Sequence, residues 1–378
     1  MQSNKLRMAI RATAALAAVG IAGQAHAFSF SAGDIDAELY GYARLNMSYD
    51  INEDLGGQDG NGSQSANPNN ISGGDVDGHF GASATQSRIG LRATNADGIT
   101  INIEGDFGGG DNGGNLRLRH AYGEYNGFLA GQTWSNYNSF VGVTPTLDFN
   151  GIVGTPGYQA RAAQLRYTTG PMSFSIEDPK GGSVLKDDSL TDEAREAGQK
   201  DSTPALTARL EDSTGGLSYS ASALIKQNSY DDGTNDDDTV GFGVFGAASF
   251  ALTNMISIQG AINYTDGASD YLYLSGGKDA YLEGNSLDSI SGIGGTLGTS
   301  VNLGGGRSMN VAYGITKLDD SDINSSDTEQ NQNAFVNYMW TPVQNTMMGV
   351  EYAYLENEKE SGTSNDAHRV MFAAQYNF

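Results

Sequence analysis

The sequence predicts an all-β chain folded as a transmembrane antiparallel β-barrel of about sixteen strands. Three observations predict it. Apolar and polar residues alternate through run after run, short turns interleave strictly with long polar segments, and the chain stops on an aromatic at Tyr376-Asn377-Phe378.

Residues 1–27 come before the barrel. A basic start (Lys5, Arg7, Arg11) leads into a short Ala/Val/Ile-rich core that closes on Ala25-His26-Ala27. This is the layout of a cleaved secretory signal peptide, with a core too short to span a bilayer. The expected organisation is a leader over 1–27 and one barrel domain over 28–378. The remainder holds no run of 18 apolar residues, so it offers no transmembrane helix. There is no cysteine, so no disulfide framework supports this exported chain. Loss of the three basic leader residues takes the formal charge from -24 to -27, which argues against nucleic acid as a partner. The 19 Tyr and 14 Phe argue against disorder despite that acidity.

The strands follow from period-two alternation. Leu45 and Met47 face away from Arg44, and Ile89 and Leu91 face away from Arg88 and Arg92. Ile101, Ile103 and Phe107 oppose Asn102, Glu104 and Asp106, and Leu116 and Leu118 oppose Arg117 and Arg119. In QLRYT, Leu165 and Tyr167 oppose Arg166, whereas the parity of Arg161, at a loop edge, stays open. Tight connections fall at 95–98, 126–127, 169–171, 213–216, 253–254, 304–306 and 342–345. Long segments lie near 50–77, 108–115, 136–160, 179–202, 228–238, 265–286, 319–329 and 359–365. Short turns on one rim and long loops on the other characterise outer-membrane barrels of Gram-negative bacteria, and closure removes every sheet edge. The final Phe378 and Tyr376, and Trp340 beside a short turn, suit the aromatic girdle at a membrane interface.

The ordered runs SRIGLRAT, ITINIEGDF, LRLRHAYGEY, LAGQTWSN, PTLDFNG and QLRYTTG resemble the DcaP-like porins over about Ser87–Gly170. AGQTWSN and LRLRHAYGE carry most of the specificity. The resemblance implies a homotrimeric outer-membrane channel for dicarboxylates and related anions. It also implies recognition of the terminal Tyr376 and Phe378 by the outer-membrane assembly machinery. Members of that family often carry a helical periplasmic extension. Here only residues 28–36 separate the cleavage site from the first strand, so the role of that extension is not carried over.

Parity places the arginines in the lumen, because a lipid-facing arginine at mid-bilayer costs about 2–4 kcal/mol. Between the cleavage site and Lys180 every basic residue except the histidines is arginine. Arginine keeps its charge and presents a planar fork that matches a carboxylate. Arg44, Arg88, Arg92, Arg117, Arg119 and Arg166 are therefore the expected wall of a constriction that draws small anionic solutes. The bland alternative pairs them with Glu104 and Asp106. The segment 136–160 follows the fifth strand, is unusually apolar, and is expected to fold into the pore, with Asp148 and Phe149 facing the arginines. A general or cation-preferring diffusion porin, governed by its acidic rim, is the competing reading.

The acids cluster elsewhere, at Asp231–Asp238, Leu318–Asp322 and Asn357–Glu360. Solvated loops are the simpler account, with divalent cations bridging to lipopolysaccharide as the alternative. No cofactor is expected. GDFGGGDNGGN lacks the GK[ST] of a phosphate loop, and no histidine sits in a nucleophile motif. The chain therefore reads as a non-enzyme. A barrel hydrolase using His120 is the alternative from another class, and a surface adhesin is disfavoured by the apolar strand faces.

Overall fold

A computed structural model describes residues 28–55, 63–74, 77–110, 113–157, 161–179, 184–186, 198–234, 236–283, 286–319 and 324–378, with backbone only at 184–186 and 283. Residues 1–27, the expected signal peptide, lie outside the described residues, as do 158–160 of the long central loop and parts of the acidic segments 231–238 and 318–322.

Sixteen antiparallel strands close into a barrel. They are β1 (Ile35–Asp50), β2 (His79–Ser83 and Arg88–Asn95), β3 (Thr100–Gly109), β4 (Asn115–Tyr125), β5 (Phe128–Trp134), β6 (Arg161–Thr169), β7 (Met172–Glu177) and β8 (Ala205–Thr214). After these come β9 (Leu217–Asp231), β10 (Asp236–Ala251), β11 (Ile256–Asp266), β12 (Ser291–Gly304), β13 (Arg307–Leu318), β14 (Thr328–Trp340), β15 (Thr346–Lys359) and β16 (Ser364–Asn377). β1 and β16 pair from Tyr42↔Asn377 to Asp50↔Arg369, so the ladder has no free edge along that seam. Below the seam, Phe28–Ala32 pairs with the lower half of β1, in line with the end of β16. Gly41 and Phe378 exchange backbone hydrogen bonds at 3.0 and 3.1 Å where the two meet.

The distribution of polarity is inverted relative to a soluble protein. Asn46, Ser48, Asn102, Asn263, Asn310 and Asn333 are buried, whereas Leu116 is 67% exposed and Leu118, Ile262 and Leu297 are also on the surface. An apolar exterior around a polar interior is what a barrel needs in lipid. Local chemistry sets the turns. Asn126-Gly127 takes φ of 49° and 85°, the two left-handed residues of a tight hairpin that matches strand twist.

The lumen is not open across its full width. Loop L3 (135–160), after β5, runs along the inner wall of β10–β16. Tyr137 packs edge-on against Phe245, and its hydroxyl donates to Asn263 Oδ1 at 2.8 Å. Leu147 packs with Met339, Met347 and Met371. At Gly349 a Cβ would stand 2.8 Å from Leu147 Cδ2, so the bare backbone of β15 is what admits the loop. The described residues of loops L1 (51–78) and L6 (267–290) also turn inward, which alternation alone did not indicate. Leu55 and Ile71 of L1 join Ile152, Phe335 and Leu355 in one buried cluster, and Asn331 Nδ2 donates to Leu274 O of L6 at 2.7 Å.

Candidate functional site

L3, docked on β10–β16, faces the inner wall of β2–β8 with Phe149. Arg88 on β2, Glu104 and Asp106 on β3, and Arg117 and Arg119 on β4 meet at one level of that wall, since Arg88↔Asp106↔Arg117 are paired across the sheet. Arg117 grips Asp106 with both ends of its fork, Nε to Oδ1 at 3.0 Å and Nη2 to Oδ2 at 2.9 Å, while its side chain stays 39% exposed. Arg119 is fully buried and bridges the two acids, Nε to Glu104 Oε1 at 3.0 Å and Nη1 to Asp106 Oδ2 at 2.8 Å. Arg88 lies 3.6 Å from Glu104. Arg119 Nη2 and Arg88 Nε are buried without a hydrogen-bond partner among the described residues.

A β-bulge shapes this cluster. Glu104 pairs with His120 and Gly105 with Leu118, so Arg119 is the extra residue on β4. Strict alternation would point His120 at lipid. The bulge instead brings Arg117, Arg119 and His120 inward together, which is how bulges re-aim side chains. The buried His120 shares a 3.0 Å hydrogen bond between Nδ1 and Thr133 Oγ1 and sits edge-on to Trp134. Arg161, whose parity the sequence left open, lays its guanidinium 4.8 Å from the Trp134 ring centroid.

L3 presents Phe149 to this wall, its centroid 5.6 Å from the Arg119 guanidinium and 6.0 Å from that of Arg88. Asp148, expected beside it, turns the other way. Its Oδ1 accepts from Asn150 N at 2.9 Å and Gly151 N at 3.1 Å, and its Oδ2 accepts from Ala66 N at 2.7 Å. Arg369 of β16 stands 3.9 Å from that carboxylate. Three backbone N–H groups and the Arg369 charge on the far side outcompete the arginine wall for this carboxylate.

The remaining residues named from sequence separate. Arg44 is buried and holds L3 through Nη2 to Leu147 O at 2.6 Å, with Nε on Asn46 at 2.8 Å. Arg92 is exposed four residues further along the same strand as Arg88, opposite Asn102. Arg166 binds Gln164 at 2.8 Å and Trp134 O at 2.5 Å. It lines, with Arg209, a cavity of about 950 Å³ that lies beneath L3 and reaches the short-turn rim. Arg209, which holds Asn138 O, was not singled out from sequence, although its alternation with Leu206 and Leu210 carries the signal. Tyr376 is exposed on the outer face, and Phe378 joins the seam. On the long-loop rim Lys200 bridges Asp231 and Asp236 at 3.2 Å each, and no set of three ligating side chains with metal-holding geometry occurs among the described residues.

The family model described as DcaP outer membrane protein matches residues 22–378. Among solved structures, the outer membrane channel DcaP of Acinetobacter baumannii shares 30% identity and superposes with a TM-score of 0.80, over 93% of this chain and 99% of that one. The anion-selective porin from Comamonas acidovorans (15% identity, TM-score 0.58, 91% and 100% coverage) shares the fold. So does the trimer form of OmpT from Vibrio cholerae (12%, 0.54, 92% and 100%). The curated proteins contain no match. A closed sixteen-stranded barrel with an inward third loop, matched by the family model from residue 22 to the last, makes this outer-membrane porin a member of the DcaP outer membrane protein family.

Proposed function

We propose that the channel passes small anions, dicarboxylates or similar solutes among them, and that it works as a homotrimer without enzymatic activity. One observation carries the preference. Beside Phe149, four guanidinium groups (Arg88, Arg117, Arg119, Arg161) gather around two carboxylates (Glu104, Asp106), while the loop's own acid is turned away. The excess positive charge lies in a narrow, poorly screened passage, where it outweighs acids on the solvated rim, whose fields salt damps beyond about 10 Å at 0.1 M. The exposed edge of the Arg117 fork, with the partly exposed Arg88 beside it, would replace part of a solute's hydration shell, and the ion pairs they already make keep binding weak enough for release.

The pairing of Arg117 and Arg119 favours a second reading, a general diffusion porin with neutralised arginines. Planar-bilayer recordings in a salt gradient separate the two. The reversal potential should show anion preference, and a dicarboxylate should slow the current. Arg88→Glu combined with Arg117→Glu should reverse the sign and abolish the slowing, and lysine at both positions should keep the sign with weaker slowing. A cation-selective wild type indifferent to dicarboxylates would overturn the proposal.

A further inference from the structure

Three hydrogen bonds tie L1 directly to L3. Ala66 N donates to Asp148 Oδ2 at 2.7 Å, Phe149 N to Gln64 O at 2.8 Å, and Asn150 Nδ2 to Ala66 O at 2.9 Å, while within L3 Asn150 N turns back to Asp148 Oδ1 at 2.9 Å. Asp148 lies at the centre of this set and is itself buried. A second set anchors the pair to the barrel. Glu351 of β15 accepts from Leu147 N at 2.7 Å and Asp148 N at 2.8 Å, and Arg44 donates to Leu147 O. Arg369 faces Asp148 while clamping Asp50 of β1 at 2.5 and 2.9 Å. From L6, the Tyr273 hydroxyl donates to Asn150 O at 3.0 Å.

We infer that L1 and L3 form one body, and that Asp148, with Glu351 and Arg369 behind it, is the positioning residue that holds this body against β14–β16 and so keeps the passage beside the arginine wall open. Phe149 follows Asp148 directly in the chain and already stands 5.6 Å from the Arg119 guanidinium, so release of the Asp148 hub from β14–β16 shifts L3 and this ring into the lumen. Asp148 accepts from Ala66 N, Asn150 N and Gly151 N, and Glu351 from Leu147 N, Asp148 N and Asn337 Nδ2. Removing the acceptor leaves Ala66 N, Asn150 N and Gly151 N without partners in a buried site, a loss that falls on the docked arrangement and spares the undocked one, where water reaches them. L1 is thereby part of the gate, although it contributes no side chain to the constriction itself. The inference rests on the channel alone and not on its ion preference.

The chain has no cysteine, which makes the test unambiguous. In single-channel recordings Asp148→Ala should raise the occupancy of reduced-conductance sublevels roughly tenfold, since charge-assisted hydrogen bonds are being lost. Its heat-modifiable gel mobility should stay that of wild type, and its reversal potential should keep the wild-type sign, whichever sign that is. Adding Ala66→Cys with Asn150→Cys to that variant should suppress the sublevels when oxidised and restore them on reduction, because a tether between the loops replaces the lost bonds. Should Asp148→Ala fail to assemble, Glu351→Gln, alone and with the same cysteine pair, takes its place. Traces as quiet as wild type in these variants, or sublevels untouched by the disulfide, would overturn the inference.

Discussion

Arg117 and Arg119 sit two residues apart on one strand, face the same lumen and share Asp106, yet their energetics differ. Arg119 is fully buried and neutralises parts of two acids, so removing its charge strands Glu104 and Asp106 in a low-dielectric wall. Arg117 remains in water on one side and its pair is screened. We expect Arg119→Met to destabilise the barrel by about 3–5 kcal/mol, the range for breaking a buried pair by deleting one partner. Arg117→Gln should cost under about 1 kcal/mol while changing ion selectivity more. Denaturant unfolding in lipid vesicles compares them, and equal losses would remove the distinction. Alternation made both arginines legible as lumenal. Their difference in burial was not legible, because it depends on Trp134 and Phe149 closing over one guanidinium and leaving the other uncovered.

Among the elements, the turns and strands were readable from residue spacing, and the loops were readable only in part. L3 declared itself by apolar content in a place that should be polar. L1 did not, because Leu55, Ala66 and Ile71 are scattered among polar residues and become a packing face only once the chain has turned. One acid fixes that turn. Burial alone would raise the Glu53 carboxyl, but the Ser72 hydroxyl at 2.7 Å and the backbone N–H groups of Ser72, Gly73 and Gly74 hold it below its ordinary 4.5. A depressed acid stabilises the folded loop above its unfolded value, and that contribution is lost as pH falls through the lower, folded value. Hydrogen exchange, corrected for intrinsic rate, should therefore show the amides of Ser72–Gly74 protected at neutral pH and released in acid below the ordinary glutamate range. Glu53→Gln should release them at both. Unchanged protection across that range would refute the assignment. The bulge at Arg119 belongs to the same scale. Nothing in LRLRHAYGEY marks an extra residue, since a bulge exists only relative to the partner strand.

For the molecule as a whole, closure is the dominant physical fact. Every strand satisfies its neighbours around the ring, so the folded barrel should stay compact in cold SDS and shift on boiling. Phe378 completes the seam by bonding Gly41 through both backbone groups, with its ring against that glycine. Deleting Phe378 should reduce the heat-modifiable barrel recovered from the outer membrane while the surviving channels conduct normally. Wild-type recovery would show that the seam closes without it.

The sixteen strands, most of their inward and outward faces and the rim on which the long loops lie were legible along the chain. All of these follow from period-two alternation and turn chemistry, which are local. Only the tertiary structure decided that Asp148 faces Arg369 and not the arginines, that His120 points inward, and that L1 joins L3. These outcomes depend on which donors from L1, from L3 itself and from β16 are brought to a given carboxylate. They also depend on a register shift between two strands and on bare backbone at Gly349. No such contact is encoded in the spacing of residues along one segment.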